Sequence, residues 1–423
     1  MRDSFRYPNA DVSAVSFIPL LAKLAGQFAF ITPTETGLHK SIMDATEGVR
    51  YFLKSEGLHD YESQGQGPQN KVTLPAFFVT AEKNIPSKAS LYRPVTKHGD
   101  PRIWFSGLGT YASANQLLGL ITFDGAIYVL NLSDQSVVNS LKNNGHAAQI
   151  CFTSRTKQDE IKNELLNKIQ KIHDQGWLPS ITPGDPGVGD TLENALGISR
   201  NNSEKPDYKG IELKATRITR HGAKKAETRS TLFTRVPDEG LTYHEILDHY
   251  GKVQTPRGFP APRLQLYETV SAARVDAYDL YLSVDSDGDT VNLVYSSDGT
   301  KNPAHSRVVS KWSLNNLRDA LKTKHNETFW IGAESKDIKG KEYFRYDVLL
   351  HTQKPNAAIL SDLIADGTIT VDLAVHCDTL THKYRDHGML WKIWKEDLPL
   401  VLGESEVFVL EPGKRTYLIL NFG

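Results

Sequence analysis

The chain has 423 residues, of which 39% are apolar and 23% charged, and its net charge is −1. That is apolar material for one large domain or two ordinary ones, and it excludes a disordered chain or a uniformly basic particle. Only Cys151 and Cys377 are present, which argues against a disulfide framework and a cysteine-built zinc site. No apolar run approaches the roughly 18 residues of a membrane span, so no membrane partner is expected. The N-terminus, MRDSFRYPNADV, lacks the basic-then-apolar order of a secretory signal, and the default expectation is a cytoplasmic protein.

In chain order, residues 1–154 read as a mixed α+β segment. SAVSFIPLLAKLAGQFAF carries apolar residues at mixed helical spacing. SIMDATEGVRYFLKSEG places Ile42, Met43, Val49, Tyr51, Phe52 and Leu53 at roughly helical intervals before a glycine cap. VTLPAFFVTA, LLGLITF and AIYVLNLS read as strands, and Asp124-Gly125 between the last two is a hairpin signal. HDYESQGQGPQNK and TKHGDPRIWFSGL read as loops, the second mixing bases with Trp104 and Phe105. TSRTKQDE reads as a polar segment, and a domain boundary is expected near Ser154, with domains at 1–154 and 155–423.

The second part opens on an amphipathic helix. In DEIKNELLNKIQKIHDQGW, Ile161, Leu165, Leu166, Ile169 and Ile172 share one face, and Gly176 ends it. A loop and a short helix, TLENALG, follow. IELKATR, STLFTRV, AYDLYLSVD, TVNLVYSS, TFWIGAES, YFRYDVLLHT and TITVDLAVH then alternate as strands, with helices at LTYHEILDHYG, SLNNLRDALKT and NAAILSDLIADG. The fold class expected is mixed α/β.

Three lookalikes fail on chemistry. GDPGVGDT has the glycine spacing of a phosphate loop but puts Asp190 where the motif needs lysine, and a carboxylate repels phosphate. DSDGD, Asp285 to Asp289, resembles a calcium loop but lacks the glutamate at the twelfth position, so a hairpin turn is expected. His376, His382 and His387 are not at the i, i+4 spacing of a zinc-hydrolase helix.

KPDYKGIELKATR, Lys205 to Arg217, carries the chemistry. On a strand Ile211 and Leu213 share the core face, and Glu212 and Lys214 share the other. A turn at Lys209-Gly210 would fold Asp207 back against Glu212. Two carboxylates can hold a magnesium ion, which favours phosphate oxygens, and a lysine beside them can orient a water and offset phosphoryl charge. The spacing D-x(4)-E-x-K alone equally describes an exposed strand with a same-face ion pair. Glu193 on the helix just upstream could add a third acid. From Lys205 to Arg235 nine Lys/Arg face three acids, a local basic tract for a polyanion that includes Arg217, Arg220, Lys224 and Lys225.

GVGDTLENALGI and NNSEKPDYKGIELKAT together are similar to the signature of the MvaI/BcnI restriction endonucleases, relatives of the MutH mismatch-repair nickase. HDQGW, STLFTRVP, YETVSAAR, WIGAESK with KEYFRYD, and RDHGMLWKI follow in the family's order, covering about residues 160–400. The resemblance implies a PD-(D/E)xK nuclease domain that cleaves double-stranded DNA with Mg²⁺ at a short, pseudopalindromic, CCNGG-like site. It further implies a monomer that cuts the strands in turn, paired with a cognate DNA methyltransferase. By position, Asp207 and Glu212 would bind metal, Lys214 would be the active-site lysine, and Glu193 would support them. The stretch that enters the major groove reads Arg385-Asp386-His387-Gly388 here, and Asp386, His387 and Gly388 match. Arg385 stands where a relative has histidine, and Lys392 where arginine is expected, which leaves the target sequence open.

Residues 1–154 make the architecture resemble enzymes that join such a catalytic domain to a B3-like effector domain binding a second DNA copy. TETGLHKS and YRPVTKHGDPRIWF are the best candidate stretches, with Arg93, Lys97, His98 and Arg102 as DNA contacts; alternatively, that loop packs Trp104 and Phe105 in a core and exposes its bases. Two other functions fit the residues: a MutH-like nickase that needs a partner, and a DNA-binding module without catalysis.

Overall fold

The computed structural model describes residues 14–198, 207–217, 229–255, 262–285, 289–378, 381–403 and 405–420. The chain divides into two compact units. The first takes in the residues up to Arg155, Thr231–Leu321 and Asn356–Trp394; the second takes in Thr156–Ser230, Lys322–Pro355 and the residues from Lys395 on.

The first unit holds three sheets. In its seven-stranded sheet the strands lie in the order Ala29–Ile31, Leu118–Phe123, Ala126–Asn131, Val72–Val79, Asn84–Tyr92, Arg102–Phe105 and Met43–Asp44. All neighbours are antiparallel except Val72–Val79 with Ala126–Asn131, which run parallel. Asp124 and Gly125 sit at φ of 50° and 74°, and this two-residue turn with positive φ twists in the same sense as the hairpin it closes.

Three local expectations need correction here. Met43 is not helical: it pairs with Ile103 at the sheet edge, and the helix begins only at Glu47 because Thr46 is extended. Four residues of TKHGDPRIWFSGL form the strand Arg102–Phe105, whose Ile103 and Phe105 alternate into the core while Arg102 and Trp104 turn away. TSRTKQDE belongs largely to the helix His146–Gln158, which buries Ala147, Ala148, Cys151 and Ser154; the Ser154 hydroxyl donates to the Thr122 carbonyl at 3.0 Å. A buried serine that bonds backbone reads as polar in sequence while acting as core.

The core of the seven-stranded sheet also takes in Ala358, from a distant part of the chain. Nearby, Arg318 is fully buried, pairs with Glu47, and donates from Nε to the Ala357 carbonyl at 2.8 Å.

A four-stranded sheet orders Glu239–Gly240, Ser306–Ser313, Thr290–Ser296 and Leu280–Asp285. Asp285 and Thr290 form the last pair beside the DSDGD stretch, whose residues 286–288 lie outside the described residues. A five-stranded sheet orders Arg229–Thr234, Tyr384–Trp394, Thr370–Asp378, Arg263–Val270 and Lys252–Gln254.

The second unit is built on a six-stranded sheet ordered Lys414–Leu420, Ser405–Glu411, Lys341–Thr352, Thr328–Ile338 and Glu212–Arg217, with Leu178–Pro179 pairing off this path. Glu212–Arg217 runs parallel to Thr328–Ile338, with Glu212 opposite Thr328 and Lys214 opposite Trp330. Helices Glu160–Asp174 and Gly187–Leu196 supply Leu165, Ile169 and Leu192 to a core that includes Ile211, Leu213, Phe329 and Phe344. The glycines of GDPGVGDT start the second of these helices. A side chain at Gly187 would meet the Thr182 carbonyl at 2.4 Å, so this glycine answers to packing. The mixed α/β class expected from the sequence is the class observed.

Candidate active site

Tyr208 and Ile211 exchange backbone hydrogen bonds of 2.9 and 2.8 Å across a two-residue turn. Lys209 and Gly210 occupy it at φ of 47° and 98°. Glycine suits the second position, whereas lysine at positive φ costs about 1–2 kcal/mol. Glu164, on the helix Glu160–Asp174, clamps the turn by accepting from the Tyr208 hydroxyl at 2.8 Å and from the Lys209 ammonium at 2.6 Å.

The turn brings Asp207 back over the strand that follows. One oxygen of its carboxylate, Oδ2, accepts the Leu213 amide at 2.9 Å. Ile211 and Leu213 are 2% and 8% exposed, while Glu212 is half-buried and Lys214 exposed, so the strand divides its faces as the alternation predicts. The Glu212 amide donates to the Glu327 carbonyl at 2.8 Å, anchoring the start of the strand. Burial, and then the charge of Asp207, hold the Glu212 carboxyl above the usual carboxylate range, with Lys214 opposing. Two carboxylates that repel each other at a half-buried sheet edge favour an added cation, and hard oxygen donors suit Mg²⁺. The observed pair therefore fits the metal that the sequence implies.

The Lys214 ammonium stands 5.0 Å from the centre of the Trp330 ring, its neighbour in the parallel register. Such a cation–π contact is worth about 0.5–1 kcal/mol at an exposed site and gives the lysine a preferred position. Glu193 is half-buried on Gly187–Leu196, the helix that packs against the strand Glu212–Arg217.

Behind the strand lies a buried charged network. His351 is 1% exposed and bonds Glu406 and Glu327, each at 2.9 Å; Lys162 reaches Glu406 at 2.9 Å and Asp159 at 2.8 Å. Glu327 thus holds His351 with its side chain and Glu212 with its carbonyl. Little in the local sequence marks Glu164, Glu327, Trp330 or His351 for these contacts, because their partners lie far away in the chain. The one local signal was Trp330 alternating to the same face as neighbouring polar residues.

Of the basic tract, Arg217 is turned inward. Its guanidinium grips Glu342 at 2.7 and 2.8 Å, donates to the Gly184 carbonyl at 2.9 Å, and lies over Phe344. Arg220, Lys224 and Lys225 lie outside the described residues.

In the first unit, Arg385, Asp386 and His387 are exposed on one strand of the hairpin Thr370–Asp378/Tyr384–Trp394. Lys392 pairs with Asp372 at 3.2 Å. Arg385 lies opposite His376, whose ring bonds the Tyr267 hydroxyl at 2.8 Å, and Arg263 lies over the Tyr267 ring. Burial lowers the His376 pKa, and the positive charge of Arg263, Arg385 and His387 adds to that. Arg263, Tyr267 and His376 therefore flank Arg385 on this sheet, beyond the residues named from sequence.

In the N-terminal candidate loop, Arg93 donates to the carbonyls of Gly99 and Gln64 at 2.8 and 3.2 Å, and Arg102 pairs with Asp44 and Asp100. Phe105 is buried and Trp104 packs against the same core. His98 is exposed; the Lys97 side chain lies outside the described residues.

Two carboxylates and an exposed lysine at one sheet edge are equipment suited to cleaving a nucleic-acid backbone. Residues 166–402, more than half of the chain, match the MvaI/BcnI restriction endonuclease family, and the chain belongs to that family. It is a site-specific deoxyribonuclease. Two solved structures are similar to it. The restriction endonuclease MvaI with its cognate DNA substrate is 26% identical, covering 59% of this chain and 98% of its own, with a TM-score of 0.34. MvaI in the absence of DNA is 24% identical, covering 59% and 97%, with a TM-score of 0.36. No curated protein matches.

Proposed function

We propose that the protein is a Mg²⁺-dependent PD-(D/E)xK type II restriction endonuclease. Its substrate is double-stranded DNA carrying a short, pseudopalindromic, CCNGG-like site. The observation that carries this reading is the Lys209-Gly210 turn, which gathers Asp207, Glu212 and Lys214 at one sheet edge.

Asp207 and Glu212 would hold the ion, Asp207 through the oxygen not given to Leu213. When bound, Mg²⁺ supplies positive charge for the phosphoryl oxygens and acidifies an attacking water. Lys214 orients that water and offsets charge building on the scissile phosphate, and Trp330 steadies the ammonium from below. Glu193 supports the pair from its helix. Arg385, Asp386 and His387 read base edges in the major groove, where arginine can address guanine O6 and N7. Arg263 and the basic tract, with Arg220, Lys224 and Lys225, meet the backbone.

The further organisation belongs to the same reading. Residues 1–154 act as a B3-like effector domain that binds a second DNA copy, with His98 on its contact loop. The enzyme works as a cytoplasmic monomer, cuts the strands in turn, and is matched by a DNA methyltransferase. Digesting sequenced DNA with Mg²⁺, with and without a chelator, and mapping the ends tests the reading. Discrete fragments that vanish on chelation are expected. Random ends, or cleavage in chelator, would overturn it, and persistent single-strand nicks would point to a nickase.

A further inference from the structure

The hairpin that carries Arg385, Asp386 and His387 is irregular at one place. Leu373 pairs with Met389 and Val375 with Asp386, so Ala374 alone faces two residues, His387 and Gly388. This is a β-bulge, a device that re-aims side chains by breaking the ladder locally. A bulge leaves backbone groups without ladder partners, and here one side chain takes them up. The hydroxyl of Tyr243 accepts the Ala374 amide and donates to the Gly388 carbonyl at 3.2 Å.

Several features fix Tyr243 in that role. It is 6% exposed. It is the first residue of the helix Tyr243–Tyr250, whose start is set by a capping box between Thr242 and Glu245. Gly388 has φ of 77°, and a side chain there would come within 2.6 Å of Thr234 Cγ2, so the bulge has little freedom to move elsewhere. The next helical residue, His244, lies 3.5 Å from the Asp386 carboxylate and stacks on Tyr384 at 4.2 Å.

We propose that Tyr243, seconded by His244, is a specificity-positioning residue: its hydroxyl holds the bulge that aims Asp386 and His387 at base edges. The proposal rests on the reading of this hairpin as the base-reading element. A base contact worth about 1–3 kcal/mol is lost when its donor or acceptor is misaimed. Tyr243 is buried behind the hairpin, so its loss blunts discrimination rather than the bond-breaking step.

The experiment compares wild type with Tyr243→Phe in the full chain. The readout is the ratio of kcat/KM on the mapped site to kcat/KM on sites with one base pair changed, with thermal melting in parallel. The ratio should fall about tenfold, through a loss on the mapped site that the changed sites do not share. A merely structural role would lower the melting temperature and slow all substrates together, leaving the ratio unchanged; that result overturns the proposal. His244→Gln, on the half-exposed side of the same helix, repeats the test should the first variant fold poorly, and an unchanged ratio there also counts against it. A wild type that cuts every site alike removes the underlying reading and the proposal with it, whereas a selective wild type with an equally selective Tyr243→Phe sinks the proposal alone.

Discussion

Asp207 and Leu213 are joined by a 2.9 Å hydrogen bond in which the carboxylate accepts the amide of the very strand that carries Glu212 and Lys214. One oxygen of Asp207 therefore builds the site while the other is left for it. Asp207→Asn keeps an acceptor for Leu213 but loses the charge, whereas Asp207→Ala loses both. Cleavage should fall by at least ~10³-fold in both, and likewise in Glu212→Ala and Lys214→Ala, since several kcal/mol of charge stabilisation vanish. Only Asp207→Ala should also lose stability, by about 1–3 kcal/mol, the range for a hydrogen bond to a charged group. Single-turnover assays and denaturant melts separate the two effects, and gel-shift binding in Ca²⁺ should survive in Glu212→Ala and Lys214→Ala.

Gly210 offers a different handle. A methyl group there meets no atom within 4 Å, but φ is 98°. Gly210→Ala therefore penalises the turn through the backbone alone, by about 1–2 kcal/mol. Because the turn is what returns Asp207 to the strand, cleavage should drop further than stability does. Equal wild-type cleavage in this variant would show that the turn does not set the site.

The buried network predicts a pH dependence of stability. Burial alone would push His351 down, but its hydrogen bonds to Glu327 and Glu406 outweigh this and raise its pKa. A raised imidazole stabilises the fold fully below its ordinary value of 6.5, and that contribution is lost as pH climbs through the raised value. Glu406 is penalised by burial, yet His351 and Lys162 bring it down to about 2, so its contribution is present above 4.5 and fades as pH falls towards 2. The network's contribution should thus peak between about pH 4.5 and 6.5. His351→Ala should cost about 3 kcal/mol or more and flatten the melting temperature against pH on the alkaline side. An unchanged profile would show that the network is not charged as described.

Arg318 tests the join between distant parts of the first unit. Burial pushes its guanidinium down to about 9 although Asp362 and Asp319 oppose this, and it pairs with the buried Glu47. Arg318→Met should lose about 3–5 kcal/mol by stranding Glu47, and Arg318→Met with Glu47→Leu should recover much of it. Urea melts of the two single variants and the double variant give the coupling; strict additivity would mean that the pair does not interact.

Much of this was readable in the sequence where the determinants are local. Ile211 and Leu213 alternate with Glu212 and Lys214, and a glycine follows Lys209, so the strand, its faces and its turn follow from period and turn chemistry. The helix Glu160–Asp174 likewise follows from its apolar stripe. What escaped was set by distant partners. Arg102–Phe105 reads as a basic loop because its alternation spans only four residues, and its strand identity comes from pairing with Asn84–Tyr92. Arg217 looks like a phosphate contact until Glu342, 125 residues away, takes its guanidinium. Tyr243 carries no catalytic spacing at all; its meaning appears only when the bulge at Ala374 stands beside it.

The parallel pairing of Glu212–Arg217 with Thr328–Ile338 has a consequence for the cell that makes this enzyme. Asp207, Glu212 and Lys214 leave the ribosome early, but the strand that anchors Glu212 and the ring beneath Lys214 come more than a hundred residues later. A parallel neighbour so far along the chain cannot be replaced by a local hairpin, and such pairings form late. A polypeptide terminated before Thr328 therefore carries the proposed cutting residues without the strand they pair with. On the proposed reading, synthesis would act as a safety catch: until Thr328–Ile338 is made, the strand Glu212–Arg217 has no parallel partner.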